Sequence, residues 1–499
     1  MSDQRIYLAV DLGASGGRVL AGRFDGKRLK LEELHRFGNE PVNLAGTLVW
    51  DLPRLWSDVC DGLRQARAKF GKNVTSLGVD TWGVDYALLD ANDQLLGNPI
   101  HYRDARTHGM LDKTLEKVSR QEIFAETGLQ FMEISTLYQL AAMRHQRSPQ
   151  LDMAQSLLLI PDLFHWFLTG NKFNEFTNAT TTQFFNPAKR DWATGLLEKL
   201  DIPTSMLGEI AAPGTNLGHL RPALRDETGL SVAQVILPGT HDTASAVMAV
   251  PTASTASARP DWCYISSGTW SLMGVEVPEP VINDKCLELN FTNEGGVEDT
   301  VRLLRNITGL WIVQECRRVW NQRGEDYSWT ELIEMAEQAP ALQSFIHPDD
   351  PSFGAPTDMP AAIKLFCERT HQSVPESLGA IIRCALQSLA LRYRLVLQWL
   401  EQLTESKIDT IHVVGGGTQN KLLCQMTADA CDRQVIAGPI EATAIGNIMM
   451  QAVAAGDVAS VAEARGVIRE SFPVDVYDPA SNADWNASWD RFRDISGMS

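Results

Sequence analysis

At 499 residues the chain has room for two or three domains of ordinary size. Its 44% hydrophobic and 21% charged residues are normal globular usage, which excludes collagen-like, disordered and disulfide-scaffold classes. Lysine and arginine (44) against aspartate and glutamate (62) leave a net charge of −18. That sign argues against nucleic acid and anionic membrane as partners, whereas a phosphate-bearing small ligand is still possible because backbone amides and a metal ion can hold it. The eight cysteines, Cys60, Cys263, Cys286, Cys316, Cys367, Cys384, Cys424 and Cys431, are sparse and form no C-x-x-C pair. They read as reduced thiols of a cytoplasmic protein. Met1-Ser2-Asp3-Gln4-Arg5 is not an apolar signal segment, and no run approaches the ~18 apolar residues of a membrane span. Cys and His do not cluster at metal-ligand spacing, so no structural zinc is expected.

In chain order, Ile6, Leu8 and Val10 alternate with Tyr7, Ala9 and Asp11, the period-2 mark of a strand. The turn Gly13-Ala14-Ser15-Gly16-Gly17 follows, then extended segments at Val19-Leu20-Ala21 and at 29–37. Gly16-Gly17 is expected to supply the positive φ of a tight hairpin. Leu52, Leu55, Val59, Leu63 and Ala66 recur at helical spacing, and Leu77-Gly78-Val79-Asp80 reads as another strand. Three strands, a helix and a strand predict an α/β fold with a mixed sheet flanked by helices. A second strand–turn–strand device, Trp262-Cys263-Tyr264-Ile265 through Ser266-Ser267-Gly268-Thr269 to Trp270-Ser271-Leu272-Met273, loosely repeats the first. The small residues between Val250 and Ser257 read as a linker, placing a boundary near residue 250. Ile382, Leu386, Leu389, Tyr393, Val396 and Leu400 mark one core-facing stripe of a long helix. The strand Ile411-His412-Val413-Val414 breaks into Gly415-Gly416-Gly417-Thr418 before more helix, and the polar last thirty or so residues suggest only packing or capping.

Three glycine-rich turns therefore follow strands, at 13–17, 266–269 and 415–417. Glycine lets backbone amides approach a phosphate, and small hydroxyls add donors without bulk. None fits the P-loop or the dinucleotide fingerprint, and each alone is also an ordinary turn. Residues 13–17 formally match the hydrolase elbow G-x-S-x-G, but an elbow leads from strand into helix late in a sheet; here β-type residues follow the first strand. His241-Asp242-Thr243 follows the strand-like Val235-Ile236-Leu237. There Asp242 is placed either as a general base or, equally simply, as a helix N-cap. Asp80-Thr81-Trp82-Gly83-Val84-Asp85 offers two acids around a Trp-Gly pair, a mix that suits sugar hydroxyls and C–H faces and also suits a plain core.

In their order, several segments resemble the FGGY family of carbohydrate kinases in the actin/hexokinase superfamily. They are Asp11-Leu12-Gly13-Ala14-Ser15-Gly16-Gly17-Arg18, Asp80 to Asp85, Thr177-Asn178-Ala179-Thr180-Thr181-Thr182-Gln183, His241 to Val247 and Ser266 to Leu272. Asn293-Glu294-Gly295-Gly296, Asn306-Ile307-Thr308-Gly309-Leu310-Trp311 and Val414 to Asn420 continue the match, which runs from about residue 6 to 450. It looks most like the branch that phosphorylates L-rhamnulose. The segment 134–140 lacks the Lys and Trp of the general family signature, as that branch does, so sugar contacts of glycerol or xylulose kinases do not transfer.

The resemblance implies two actin-like (ribonuclease H-like) domains with a cleft between them. Residues 1–250 would form the sugar-binding domain with the first phosphate loop, and 251–499 the nucleotide-binding domain. It implies ATP-dependent phosphorylation of the 1-hydroxyl of L-rhamnulose, in rhamnose catabolism, with ATP and Mg²⁺ as cofactors. By the same resemblance Asp242 matches the catalytic base. Gly83, Trp82, Asp85, His241, Thr243 and Asn306 stand on the sugar side. Ala14, Ser15, Gly16, Gly17, Arg18, Thr269, Gln314 and Gly416 match ATP contacts, and Asp11 the acid that organises Mg²⁺. A related kinase of L-fuculose or L-xylulose and a non-catalytic sugar sensor of the same fold are the alternatives.

Overall fold

The computed structural model describes residues 4–354, 356–480 and 483–497. The chain packs into two units: Met1–Ala256 with Glu276–Leu303 and Glu441–Phe472, and Ser257–Val275 with Leu304–Ile440 and Pro473–Ser499. This partition is interleaved, whereas the sequence suggested two contiguous blocks meeting near residue 250.

In the first unit the opening strand Arg5–Gly13 pairs antiparallel with Gly16–Phe24, which pairs antiparallel with Leu29–Gly38. On its other edge Arg5–Gly13 runs parallel to Val74–Thr81, which runs parallel to Gln234–Ile236. Asn216–His219 closes the six-stranded sheet antiparallel. The alternation read at residues 6–11 is real, but both faces of this strand are covered: Ile6, Leu8 and Val10 are buried, and so are Tyr7, Ala9 and Asp11. A central strand with parallel pairing normally has helices on both sides.

One covering helix is Leu52–Phe70, capped by the Asp51 side chain accepting from the Arg54 amide, with Leu52, Leu55, Val59, Leu63 and Ala66 on its buried face. A Cβ on Gly62 would stand 2.3 Å from Val19 Cγ2, so glycine there lets helix and sheet touch. The helix Ala442–Ala454 returns from near the end of the chain to pack on Arg5–Gly13, Val74–Thr81 and the helix Asp242–Met248. Its approach to the last of these is so close that a Cβ on Gly446 would lie 1.8 Å from the Ser245 carbonyl oxygen. It also carries buried amides into the sheet: Asn447 Nδ2 donates to the Gly78 carbonyl at 3.2 Å, and Gln451 Nε2 to the Leu8 carbonyl at 2.9 Å.

A seven-stranded sheet, built mostly from the second unit, repeats the arrangement. Trp262–Ser267 pairs antiparallel with Trp270–Val277 and parallel with Thr410–Val414; Thr410–Val414 runs parallel to Gln434–Ala437, which pairs antiparallel with Asp475–Tyr477. Val301–Thr308 lies beside Trp270–Val277 where the first unit has its third strand. Thr292–Gly295 adds a seventh strand beyond Val301–Thr308. The other five strands, Trp270–Val277, Trp262–Ser267, Thr410–Val414, Gln434–Ala437 and Asp475–Tyr477, repeat the order and directions of Gly16–Phe24, Arg5–Gly13, Val74–Thr81, Gln234–Ile236 and Asn216–His219, which turns a loose sequence repeat into a structural one. The predicted stripe lies on the helix Leu378–Thr404, with all six of its named residues buried. The polar end of the chain supplies the closing strand and the helix Ala483–Ile495, in which Phe492 is fully buried.

Both hairpins sit where expected, but the glycines of the first act differently. Gly13, Gly16 and Gly17 all have negative φ. A Cβ on Gly17 would stand 2.2 Å from Cε2 of the Phe37 ring, so the requirement is close approach and not backbone handedness. All eight cysteines are unpaired and buried. Among the described residues no helix is long and apolar enough to cross a membrane.

Candidate active site

The first strand ends at a two-residue turn, Ala14-Ser15, joining Gly13 to Gly16, with Ser15 exposed and the Gly13 carbonyl tied by Asn39 Nδ2 at 2.8 Å. Arg18, across the hairpin from Asp11, is not free to face solvent alone. Its Nη2 bonds Asp11 Oδ2 at 2.6 Å and its Nη1 pairs with Glu441, at the start of the returning helix.

Asp11 and Asp80 stand opposite each other on adjacent parallel strands, and Asp242 opens the helix that follows the neighbouring strand. Asp11 and Asp80 feel the charge of Asp242. Burial pushes Asp11 up, Arg18 opposes that, and Asp242 and Glu441 add to it. Burial pushes Asp80 far above the ordinary carboxylate range and the Asp11 charge adds; an Asn447 Nδ2 hydrogen bond at 2.5 Å pulls the other way, and the Asp242 charge raises it further. Asp80 Oδ1 is buried without a hydrogen-bond partner. Asp80 is fully buried and the Asp11 side chain 5% exposed, whereas the Asp242 side chain is 29% exposed. Asp242 is therefore the acid a substrate can reach.

The capping alternative for Asp242 is not what the structure shows. His241 occupies the N-cap position and Asp242 is the first helical residue, with no side-chain cap bond. Asp242 Oδ1 instead accepts from Thr243 Oγ1 at 3.1 Å and faces His241 Nε2 at 3.5 Å. The turn before it is anchored by buried Glu175, whose Oε2 accepts from the Thr240 amide (3.0 Å), Thr240 Oγ1 (2.6 Å) and Thr177 Oγ1 (2.6 Å). Thr177 Oγ1 in turn accepts the His241 amide at 3.1 Å. On its other edge the His241 ring meets Arg302 Nη2 at 3.1 Å and Glu294 Oε2 at 3.3 Å.

The segment after Asp80 divides into two roles. Gly83 lies against Thr181, whose Oγ1 would be 3.1 Å from an added Cβ. Asp85, expected on the sugar side, is buried and occupied from within. Its carboxylate accepts from Trp50 Nε1 (2.7 Å), Trp82 Nε1 (3.0 Å), the Tyr102 amide (3.2 Å) and Gln139 Nε2 (2.9 Å). Burial raises it to about 6 against the Trp50, Gln139 and Trp82 hydrogen bonds and the Arg106 charge. Its observed part is to hold the Trp82 indole, which lies 4.0 Å from the Trp50 ring and is itself buried.

In the second unit the 268–269 turn is fastened to the start of the helix Trp311–Gln322: the Leu310 amide donates to the Gly268 carbonyl at 3.1 Å and the Trp311 amide to the Thr269 carbonyl at 3.0 Å. Thr269 and Gln314 are thereby tied to one local structure, both half-buried. Asn306 lies half-buried on Val301–Thr308. At the third turn Gly415 has φ of 87°, and a Cβ on Gly417 would be 2.0 Å from Ser267 Oγ. Gly416 is exposed with open space around it, an uncovered stretch of backbone.

A cation fits Asp11 and Asp80 of the first unit on their chemistry: two buried carboxylates pushed up by burial and by neighbouring negative charge, one with an orphaned buried oxygen, gain from a nearby positive charge. Among the described residues no group of three His, Cys, Asp or Glu side chains forms a ready-made coordination shell. That suits Mg²⁺, which keeps several waters and takes few protein ligands. Sequence reasoning passed over Glu175, Glu294, Arg302, Glu441 and Asn447. Glu294 lies in a segment that carries the family resemblance, but nothing local to it signals a neighbour 53 residues away in the chain.

Two family models match the chain. The N-terminal domain of the FGGY family of carbohydrate kinases covers residues 6–249 and its C-terminal domain residues 263–455. The chain belongs to this family. Among curated relatives, a rhamnulokinase of Bacteroides thetaiotaomicron is 42% identical over 487 residues, covering 98% of each chain. One of Pectobacterium atrosepticum is 43% identical, covering 98% of this chain and 96% of the relative. The kinase also shares its fold with a xylulose kinase from Lactobacillus acidophilus (TM-score 0.80, 17% identity, 99% of this chain and 97% of that one). A Plasmodium falciparum glycerol kinase solved with ADP superposes with a TM-score of 0.77 at 14% identity, over 99% of each chain.

Proposed function

We infer that this kinase transfers the γ-phosphoryl group of ATP to the 1-hydroxyl of L-rhamnulose, giving L-rhamnulose 1-phosphate and ADP. The observation that carries the sugar is the likeness to rhamnulokinases along nearly the whole chain, at about two residues in five. The chemistry is carried by Asp242, the one accessible carboxylate of three, set beside an imidazole. Asp242 orients the sugar hydroxyl and takes its proton as the phosphoryl group arrives. His241, Thr243, Gly83 and Trp82 line the sugar side, with Asp85 keeping the indole in place, and Asn306 is assigned to the sugar as well. Ala14 to Arg18 offer the phosphates backbone amides and a guanidinium, while Thr269, Gln314 and Gly416 of the second unit take the rest of ATP. Asp11 and Asp80 would hold a hydrated Mg²⁺, which when bound neutralises charge on the phosphates.

A panel of ketoses with ATP, read by coupled ADP release, tests the substrate. L-Rhamnulose is expected to exceed L-fuculose and L-xylulose in kcat/KM by at least ~10-fold, the discrimination a few well-placed hydroxyl contacts supply. An equal or faster rate with either rival would reassign the sugar. Absence of ADP release with all three would leave a sugar-binding sensor.

A further inference from the structure

The surroundings of His241 constrain where its proton sits. Arg302 is fully buried, and its Nη2 donates to His241 Nδ1 at 3.1 Å. A guanidinium has donors only, so a hydrogen bond between the two uses the Nδ1 lone pair. A doubly protonated ring would set N–H against N–H. The tautomer that makes this bond carries its proton on Nε2, and that nitrogen faces Asp242 Oδ1 at 3.5 Å. Glu294 Oε2 lies 3.3 Å from the same Nδ1 and 3.2 Å from Arg302 Nη2. It supplies the counter-charge a buried cation needs, and it is also the acceptor that would draw the proton to Nδ1 if Arg302 were not there.

We propose that Arg302 is a positioning residue that locks His241 in the Nε2–H tautomer, so that the ring donates toward Asp242 Oδ1 and leaves Oδ2 to receive the sugar proton. With the other tautomer, Nε2 would turn a lone pair toward a carboxylate and push Asp242 out of line. The catalytic consequence rests on the function proposed above; the tautomer does not.

Nitrogen NMR of histidine side chains in the whole protein at pH 7.5 tests this, with the His241 signals identified by their loss in His241→Gln. The wild type is expected to carry its proton on Nε2. In Arg302→Met the proton moves to Nδ1, kcat for the ketose falls by at least ~10-fold and KM for ATP is unchanged. Arg302→Lys, which restores a donor, brings back the Nε2–H signature and part of kcat. Glu294→Gln leaves the proton on Nε2 because Arg302 still donates. A wild-type ring protonated on Nδ1 or on both nitrogens, or an Arg302→Met protein that keeps Nε2–H, would overturn the proposal. If Arg302→Met does not fold, the wild-type, Arg302→Lys and Glu294→Gln spectra decide. Unchanged kcat in a folded Arg302→Met protein whose proton has moved would refute the positioning role. Failure of the wild type to phosphorylate any ketose, with the tautomer shift intact, would sink the proposed function and not the tautomer.

Discussion

Asp242 and Asn have nearly the same shape, and an Asn carbonyl could still accept from Thr243 Oγ1, so Asp242→Asn isolates the proton acceptor. General-base catalysis is typically worth ~10²–10⁴ in rate. The variant is expected to lose at least ~100-fold in kcat, while its KM for ATP and its melting temperature stay close to the parent's. Near-normal turnover would remove Asp242 from the chemistry. A second residue sets an acid limit on stability. His165 is buried with Nε2 accepting the Val79 amide at 3.1 Å, and burial lowers its pKa to about 3. A depressed histidine contributes stability that is present above its unfolded value near 6.5 and is lost as pH falls toward 3, because the unfolded chain takes up the proton first. In His165→Gln, whose amide oxygen can accept the same bond, the fall in unfolding free energy between pH 6 and 4 should be shallower by one proton, about 1.4 kcal/mol per pH unit. Chemical denaturation at several pH values measures it; parallel slopes would mean His165 does not titrate this way.

Among the elements, the returning helix Ala442–Ala454 holds the helix that starts at Asp242 and also bonds the carbonyl of Gly78 and the carboxylate of Asp80. Gly446 is where the two helices meet. Alanine is the better helix former by ~1 kcal/mol, yet its Cβ would lie 1.8 Å from a backbone oxygen, and overpacking of that kind costs typically 1–3 kcal/mol. Gly446→Ala should therefore be destabilised by up to ~2 kcal/mol in denaturant, with kcat reduced because Asp242 moves with its helix. A stabilised variant would show that the helices part without cost.

For the whole molecule, the interleaved partition bears on what folds alone. Residues 1–250 lack the segment 441–472, which covers one face of the first sheet and supplies Asn447 and Gln451 to strand carbonyls. Cut there, the chain would expose Tyr7 and Ala9 and leave Ser76 without its bond to Gln451. The fragment 1–250 is expected to show no cooperative thermal transition. A sharp melt for it would mean that the returning segment only decorates the unit.

Local pattern carried much of this protein. Period 2 at residues 6–11, helical spacing at 52–66 and 382–400, and glycine turns after strands are set by neighbours in the chain, and each element appeared where its pattern placed it. Asp242 was legible as a candidate because it follows a strand and opens a helix; whether it capped that helix was not, since cap and first-turn positions differ by one residue and only the backbone geometry separates them. What tertiary structure alone decided lies across long stretches of chain: Glu441 on Arg18, Asn447 on Asp80, Arg302 and Glu294 on His241, and the inward turn of Asp85 onto two tryptophans. The reason is physical. A strand or helix records its own periodicity in adjacent residues, whereas a buried charge reveals nothing of its counter-charge until the fold brings the two within a few ångströms.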